Sequence, residues 1–104
     1  GQRAISVTSG DILFNQTMFN ALPLIHCEGN GTINVGGYSV TVSGMPVLLS
    51  QINIDCEMQD AYNGGLNYNQ YMTLSEFPKL VPGENEIIYT GFTSVTITPR
   101  WFVL

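Results

Sequence analysis

Residues 51–59, QINIDCEMQ, decide the fold. Apolar Ile52, Ile54, Cys56 and Met58 alternate with polar Asn53, Asp55, Glu57 and Gln59. Successive side chains of an extended chain point to opposite faces, so this period of two sets one row against a core and the other against water. A helix would need apolar residues three and four apart. The stretch predicts a half-buried strand with a wet face.

The same rhythm runs outward in both directions. YSVTVSG (38–44) sets Tyr38, Val40 and Val42 against Ser39, Thr41 and Ser43, and GTINV (31–35) puts Ile33 and Val35 together. Gly36-Gly37 separates those runs, and two glycines accept the positive φ angles of a tight hairpin turn. AISVT (4–8) alternates again, and SVTITPRWFVL (94–104) places Val95, Ile97, Trp101 and Val103 on one face. Pro99 cannot donate to a ladder, so that last strand is an edge or breaks there. DILFNQT (11–17), PLIHCEG (23–29), MPVLLS (45–50), QYMTL (70–74) and NEIIYTG (85–91) are further strand candidates. TMFNALPLI (17–25) has room for one short helical turn. Turn residues recur about every 8–12 positions, the spacing of a sandwich or barrel. The expected fold is all-β: an antiparallel β-sandwich of two sheets.

With 104 residues, 44% of them hydrophobic, the chain makes one domain spanning 1–104 with a real core. Only 11% are charged, against about 25% in ordinary soluble domains, so Asn, Thr, Ser and Gln must supply the polar surface. Net charge is −5, and Arg3, Lys79 and Arg100 are the only Lys or Arg residues. That excludes the basic patch needed for nucleic acid or for an anionic membrane surface. No apolar run approaches the ~20 residues that span a bilayer. The abrupt start at Gly1-Gln2 gives the expectation of a domain excised from a longer protein.

Chemistry is sparse. His26 adjoins Cys27, but neighbours on a strand face opposite ways, so they make a poor dyad. Cys27 shares the parity of Ile25, and Cys27 and Cys56 read as two reduced core thiols rather than a disulfide. Ser39 lacks the second glycine of a nucleophile elbow. Asp55, Glu57 and Asp60 read as solvated acids, since nothing indicates a cleft for glycoside hydrolysis or Ca²⁺-loop spacing. Asn15-Gln16-Thr17 and Asn30-Gly31-Thr32 match the glycosylation pattern by composition alone. No catalytic residue, metal ligand or cofactor site is assigned. The most suggestive stretch is QDAYNGGLNYNQYM (59–72), where Tyr62, Tyr68 and Tyr71 interleave with Asn63, Asn67 and Asn69. Flat amphipathic rings among amide donors and acceptors suit a protein or glycan contact surface. The alternative is a long polar loop whose tyrosines fold back onto the sheet edge.

Three segments in order carry a family resemblance: INIDCEMQDAYNGGLNYN (52–69), FPKLVPGENEIIYTG (77–91) and the terminal SVTITPRWFVL. Together they resemble the C-terminal domain of the bacteriophage distal tail protein family, over roughly Ile52 to Leu104. The resemblance implies a galectin-like, jelly-roll type of sandwich and a non-enzymatic structural role at the virion tail tip. It implies other tail-tip and baseplate proteins as partners, synthesis in a bacterial host cytoplasm, and a homohexameric parent whose ring-forming N-terminal domain is missing here. The isolated domain is then expected to be monomeric. The galectin sugar motif, begun at His26, meets Glu28 and Asn30 where Asn and Arg belong. A host cell-wall glycan remains the alternative ligand, with the tyrosine–asparagine stretch as its expected contact.

Overall fold

A computed structural model describes residues 3–46 and 50–101. In chain order the strands are β1 (Ile5–Val7), β2 (Ile12–Asn15), β3 (Leu24–Glu28), β4 (Gly31–Val35), β5 (Tyr38–Val42) and β6 (Gln51–Asp55), then β7 (Asp60–Asn63), β8 (Leu66–Asn67), β9 (Met72–Leu74), β10 (Gly83–Thr90) and β11 (Ser94–Thr98). They form a six-stranded sheet ordered β1-β11-β3-β6-β7-β8 and a five-stranded sheet ordered β2-β10-β4-β5-β9. Every strand pairing is antiparallel. The all-β, two-sheet β-sandwich read from the sequence is the observed fold.

Alternation sets which face is inside. Ile25 and Cys27 on β3, Ile52 and Ile54 on β6, and Val95 and Ile97 on β11 line the inner face of the six-stranded sheet. Ile33 and Val35 on β4, Val40 and Val42 on β5, and Ile87 on β10 oppose them from the other sheet. Each of these side chains is buried, and each large one stabilises the fold by about 1.5–3 kcal/mol relative to exposure. Gly36 and Gly37 hold φ of 57° and 98°, and close the β4–β5 hairpin as their sequence predicts.

Several expectations change. The alternation of residues 51–59 stops at Asp55, where residues 56–59 turn. Met58 is therefore 72% exposed instead of packed beside Cys56. Asp55 was expected on the wet face, yet it is only 6% exposed. Its Oδ1 accepts from Nη2 of Arg100 at 2.7 Å and from the backbone N–H groups of Glu57 and Met58. An unpaired charge would be costly at that depth, and the Arg100 guanidinium makes the burial tolerable. The final run breaks at Thr98 before Pro99, and β11 is an interior strand between β1 and β3. Trp101 packs half-buried against the core, and Val103 lies outside the described residues. The MPVLLS stretch includes residues 47–49, also outside them. Residues 17–25 hold no helical turn, and Gln70-Tyr71 belong to a 3-10 turn, Asn69–Tyr71, ahead of β9.

Two buried asparagines fasten β2 and β10. Asn85 is fully buried, and its Nδ2 donates to the carbonyls of Val81 (2.8 Å), Gly83 (3.1 Å) and Leu13 (3.2 Å), while its Oδ1 accepts from Val81 N–H (2.9 Å). Asn15 donates to Phe19 and Leu80 carbonyls and accepts from Thr17. The Asn15 sequence match is therefore buried and saturated, which removes it as a glycan acceptor in the folded chain. Arg100 also ties down main chain, its Nε donating to the Leu22 carbonyl at 2.9 Å.

Candidate functional site

The tyrosine–asparagine stretch folds as a short hairpin, β7–β8, followed by the 3-10 turn. Tyr68 is 4% exposed and meets Tyr71 edge-on, with ring centroids 4.9 Å apart. Tyr71 is half-buried against the core. The asparagines are occupied with the turn itself. Asn69 accepts from Ala61 N–H at 2.7 Å and donates to Asp60 at 2.6 Å. Asn67 accepts from Asn69 N–H at 2.9 Å and reaches Asp60 at 3.4 Å, and Asn63 lies 3.5 Å from the Tyr68 hydroxyl. The six residues thus come together, but with different duties. Tyr68 serves the core, and Tyr62 presents a half-exposed ring from the sheet. The contact surface expected from the sequence loses Tyr68 for this reason.

Register builds a polar row that sequence spacing does not reveal. Cα partners run Ser6–Thr96–His26–Asn53–Tyr62–Asn67 across the outer face of the six-stranded sheet. Nδ1 of His26 lies 2.9 Å from Oδ1 of Asn53. A carboxamide oxygen only accepts, so Nδ1 is the donor. Glu28 and Gln51 stand one step along the same face, joined at 3.4 Å. Cys27 points inward, so His26 and Cys27 lie on opposite faces as expected.

Burial pushes both thiols up to about 12, and both are free, which agrees with reduced core cysteines. The acids do not form a cleft pair. Asp55 and Asp60 are register partners, but Asp55 is bound to Arg100 and Asp60 to the asparagines, while Glu57 is exposed in the turn. The Arg100 hydrogen bond holds the Asp55 carboxyl below the usual carboxylate range. Among the described residues, no three His, Cys, Asp or Glu side chains gather as a metal set.

A second surface lies on the five-stranded sheet and was missed in sequence reasoning. On β2, Leu13 and Asn15 point inward while Ile12 and Phe14 are 51% and 57% exposed. Their Cα partners on β10 are Glu86 and Glu84, and exposed Ile88 continues that face. Exposed Met18 and Phe19 follow β2 in the chain. A groove of about 330 Å³ beside them is lined by Phe14, Gln16, Thr17 and Trp101. ILFN is apolar at both parities except for Asn15, so alternation alone could not show which face is wet; only the buried, saturated Asn15 decides it. No family model, no curated protein and no solved structure matches this chain.

Proposed function

We propose that this chain is a non-enzymatic structural domain of a phage tail tip, whose work is protein–protein contact within the baseplate and host-adsorption apparatus. The observation that carries this reading is the exposed pair Ile12 and Phe14 on β2, which ends the sheet among the described residues, continued by Ile88 of the neighbouring β10. Contiguous apolar patches rimmed by charge mark interaction surfaces more often than chance exposure. The order of the segments that resemble the distal tail family supports the same reading. Those segments supply fold fasteners, with Asp55, Asn85 and Arg100 all engaged in bonds that tie distant parts of the chain. On this reading the resemblance lies in the scaffold, and contacts are made by edges and outer faces. The parent protein is a homohexamer on this reading, and the isolated domain is a monomer. Cross-linking mass spectrometry on assembled tails tests it: links from this domain to neighbouring tail-tip subunits are expected. Links confined to capsid proteins, or none to any virion protein, would overturn it.

One observation favours a second reading, a neutral host cell-wall glycan as ligand. The row Thr96–His26–Asn53–Tyr62–Asn67 offers hydroxyls, amides, an imidazole and a phenol ring in a line, with no Lys or Arg. Titration with host wall polysaccharide, followed by amide NMR shifts, addresses it. Shifts on this row that vanish in Tyr62→Ala support the glycan; an unperturbed spectrum at saturating polysaccharide dismisses it.

A further inference from the structure

Asn-Gly occurs twice in the chain, at Asn30-Gly31 and at Asn63-Gly64. Such a step carries its own reactants. The backbone nitrogen of the glycine can attack the carboxamide carbon of the asparagine, because no side chain on the second residue blocks the approach. Ring closure is intramolecular, so its rate depends on whether the two atoms reach attack geometry. Both the carboxamide and the peptide between the two residues must have room to turn.

The fold treats the two steps differently. Gly31 opens β4, where it pairs with Val42. It lies so close to the Thr90 carbonyl and the Phe92 nitrogen that a Cβ there would collide with both. The Asn30 carboxamide is anchored as well, its Oδ1 accepting from Met45 N–H at 3.0 Å. Asn63-Gly64 is the opposite case. Asn63 and Leu66 are register partners, so Gly64-Gly65 form the two-residue loop of the β7–β8 hairpin. Both glycines are exposed, and a Cβ on either would meet no atom within 4 Å beyond its chain neighbours. Gly64 holds φ of 58°, the positive value that primed turns demand. Among the described residues the Asn63 carboxamide has one hydrogen bond, from Nδ2 to the Tyr68 hydroxyl at 3.5 Å, near the outer limit for such a bond.

We propose that Asn63-Gly64 is a self-modifying site of the folded chain, which converts to an aspartyl or isoaspartyl link and so loosens the β7–β8 hairpin. The Gly64 nitrogen bonds to Cγ of Asn63, the Cγ–Nδ2 bond breaks, and ammonia leaves with the proton that the Gly64 nitrogen gives up. Water then opens the succinimide at either carbonyl, with no oxidation or reduction. Either product places a new negative charge at position 63. The isoaspartyl link also runs through the side-chain carbon, which makes the backbone one atom longer. A two-residue loop has no slack for that atom, so the pairs Asn63–Leu66 and Tyr62–Asn67 come apart, and the polar row loses its Asn67 end. This inference is independent of the contact and glycan readings and holds whichever of them is right.

The test is to age the purified chain in mildly alkaline buffer, well below its melting temperature, beside a sample unfolded in guanidinium. Peptide mass spectrometry over weeks reads the mass gain of amide-to-acid conversion at each asparagine, and enzymatic methylation of isoaspartate reads the second product. The unfolded chain should convert at Asn30 and Asn63 at similar rates. The folded chain should convert at Asn63 about tenfold or more faster than at Asn30. The folded rate should rise with pH, since the attacking nitrogen must lose its proton. Hydrogen exchange at residues 60–67 should be faster in the isoaspartate fraction than in Asn63→Asp, which carries the charge without the extra atom. Folded-state conversion that is absent at Asn63, equal at the two steps or fastest at another asparagine overturns the proposal. So does a preference for Asn63 that persists unchanged in guanidinium, because local sequence and not the fold would then select the site. Exchange no faster than in Asn63→Asp overturns it as well, since the loop would then have absorbed the extra atom.

Discussion

Replacing Asn85 by alanine deletes four hydrogen bonds from a site with no access to water. At about 1 kcal/mol net for each, the loss is about 4 kcal/mol, before any cost for main-chain groups left unpaired. A domain of this size has roughly 5–15 kcal/mol of stability in all, so the variant gives up a large share. With about 4–8 °C per kcal/mol, the melting temperature should fall by about 15–30 °C. Asn85→Asp sharpens the test, because it keeps shape and loses only the donor. Its second oxygen would stand where Nδ2 now lies, 2.8–3.2 Å from three carbonyl oxygens. An anion there is repelled, so the aspartate variant should be no more stable than the alanine one at neutral pH. Burial and the carbonyls raise that carboxyl's folded pKa above its unfolded value, so the folded state binds the extra proton. The deficit against wild type should therefore shrink as pH falls. Urea denaturation followed by Trp101 fluorescence and circular dichroism reads all three proteins. An alanine variant within about 1 kcal/mol of wild type, or a fully stable aspartate at neutral pH, would show that Asn85 does not fasten the sheet.

Three further outcomes are expected. Asp55 has a folded pKa below its unfolded one, so its contribution is present above the ordinary carboxyl pKa near 4 and fades as pH falls. Arg100→Ala should cost about 1–3 kcal/mol at neutral pH and make the acid loss shallower; an identical pH profile in both proteins would contradict this. Both thiols should ignore a thiol reagent in the native state and react only on unfolding, since burial pushes each to about 12. Fast labelling of folded protein would count against the core placement. Tyr68→Ala should destabilise by about 3–5 kcal/mol and Tyr62→Ala by under about 1, as measured by thermal melts. Equal effects would mean the two rings are not divided between core and face.

Much of the fold was legible because period-two alternation is local. The β4–β5 hairpin could be read from Gly36-Gly37, and β6 from Ile52 and Ile54. What escaped depended on distant partners. Asp55 looked like a wet-face acid because its burial rests on Arg100, 45 positions away. Asn15 and Asn85 lay in strand candidates with nothing to mark them as buried, and their burial follows from carbonyls of Leu80 and Leu13 brought up by the sandwich. Tyr68 was read with the surface tyrosines because composition does not say which ring of a hairpin tucks under. The candidate site was less legible still. His26, Asn53 and Tyr62 share a row only through strand register, and the exposure of Phe14 follows from β2 ending the sheet.

A domain that belongs to a tail tip and works there by contact must sit at the distal end of assembled particles. Immunogold electron microscopy, with antibodies raised against the folded domain and applied to particles from the host that carries the gene, tests it most directly. Gold is expected at the distal end of the tail. Label on the capsid, or particles that stay bare while the same antibodies bind soluble protein in the lysate, would contradict it.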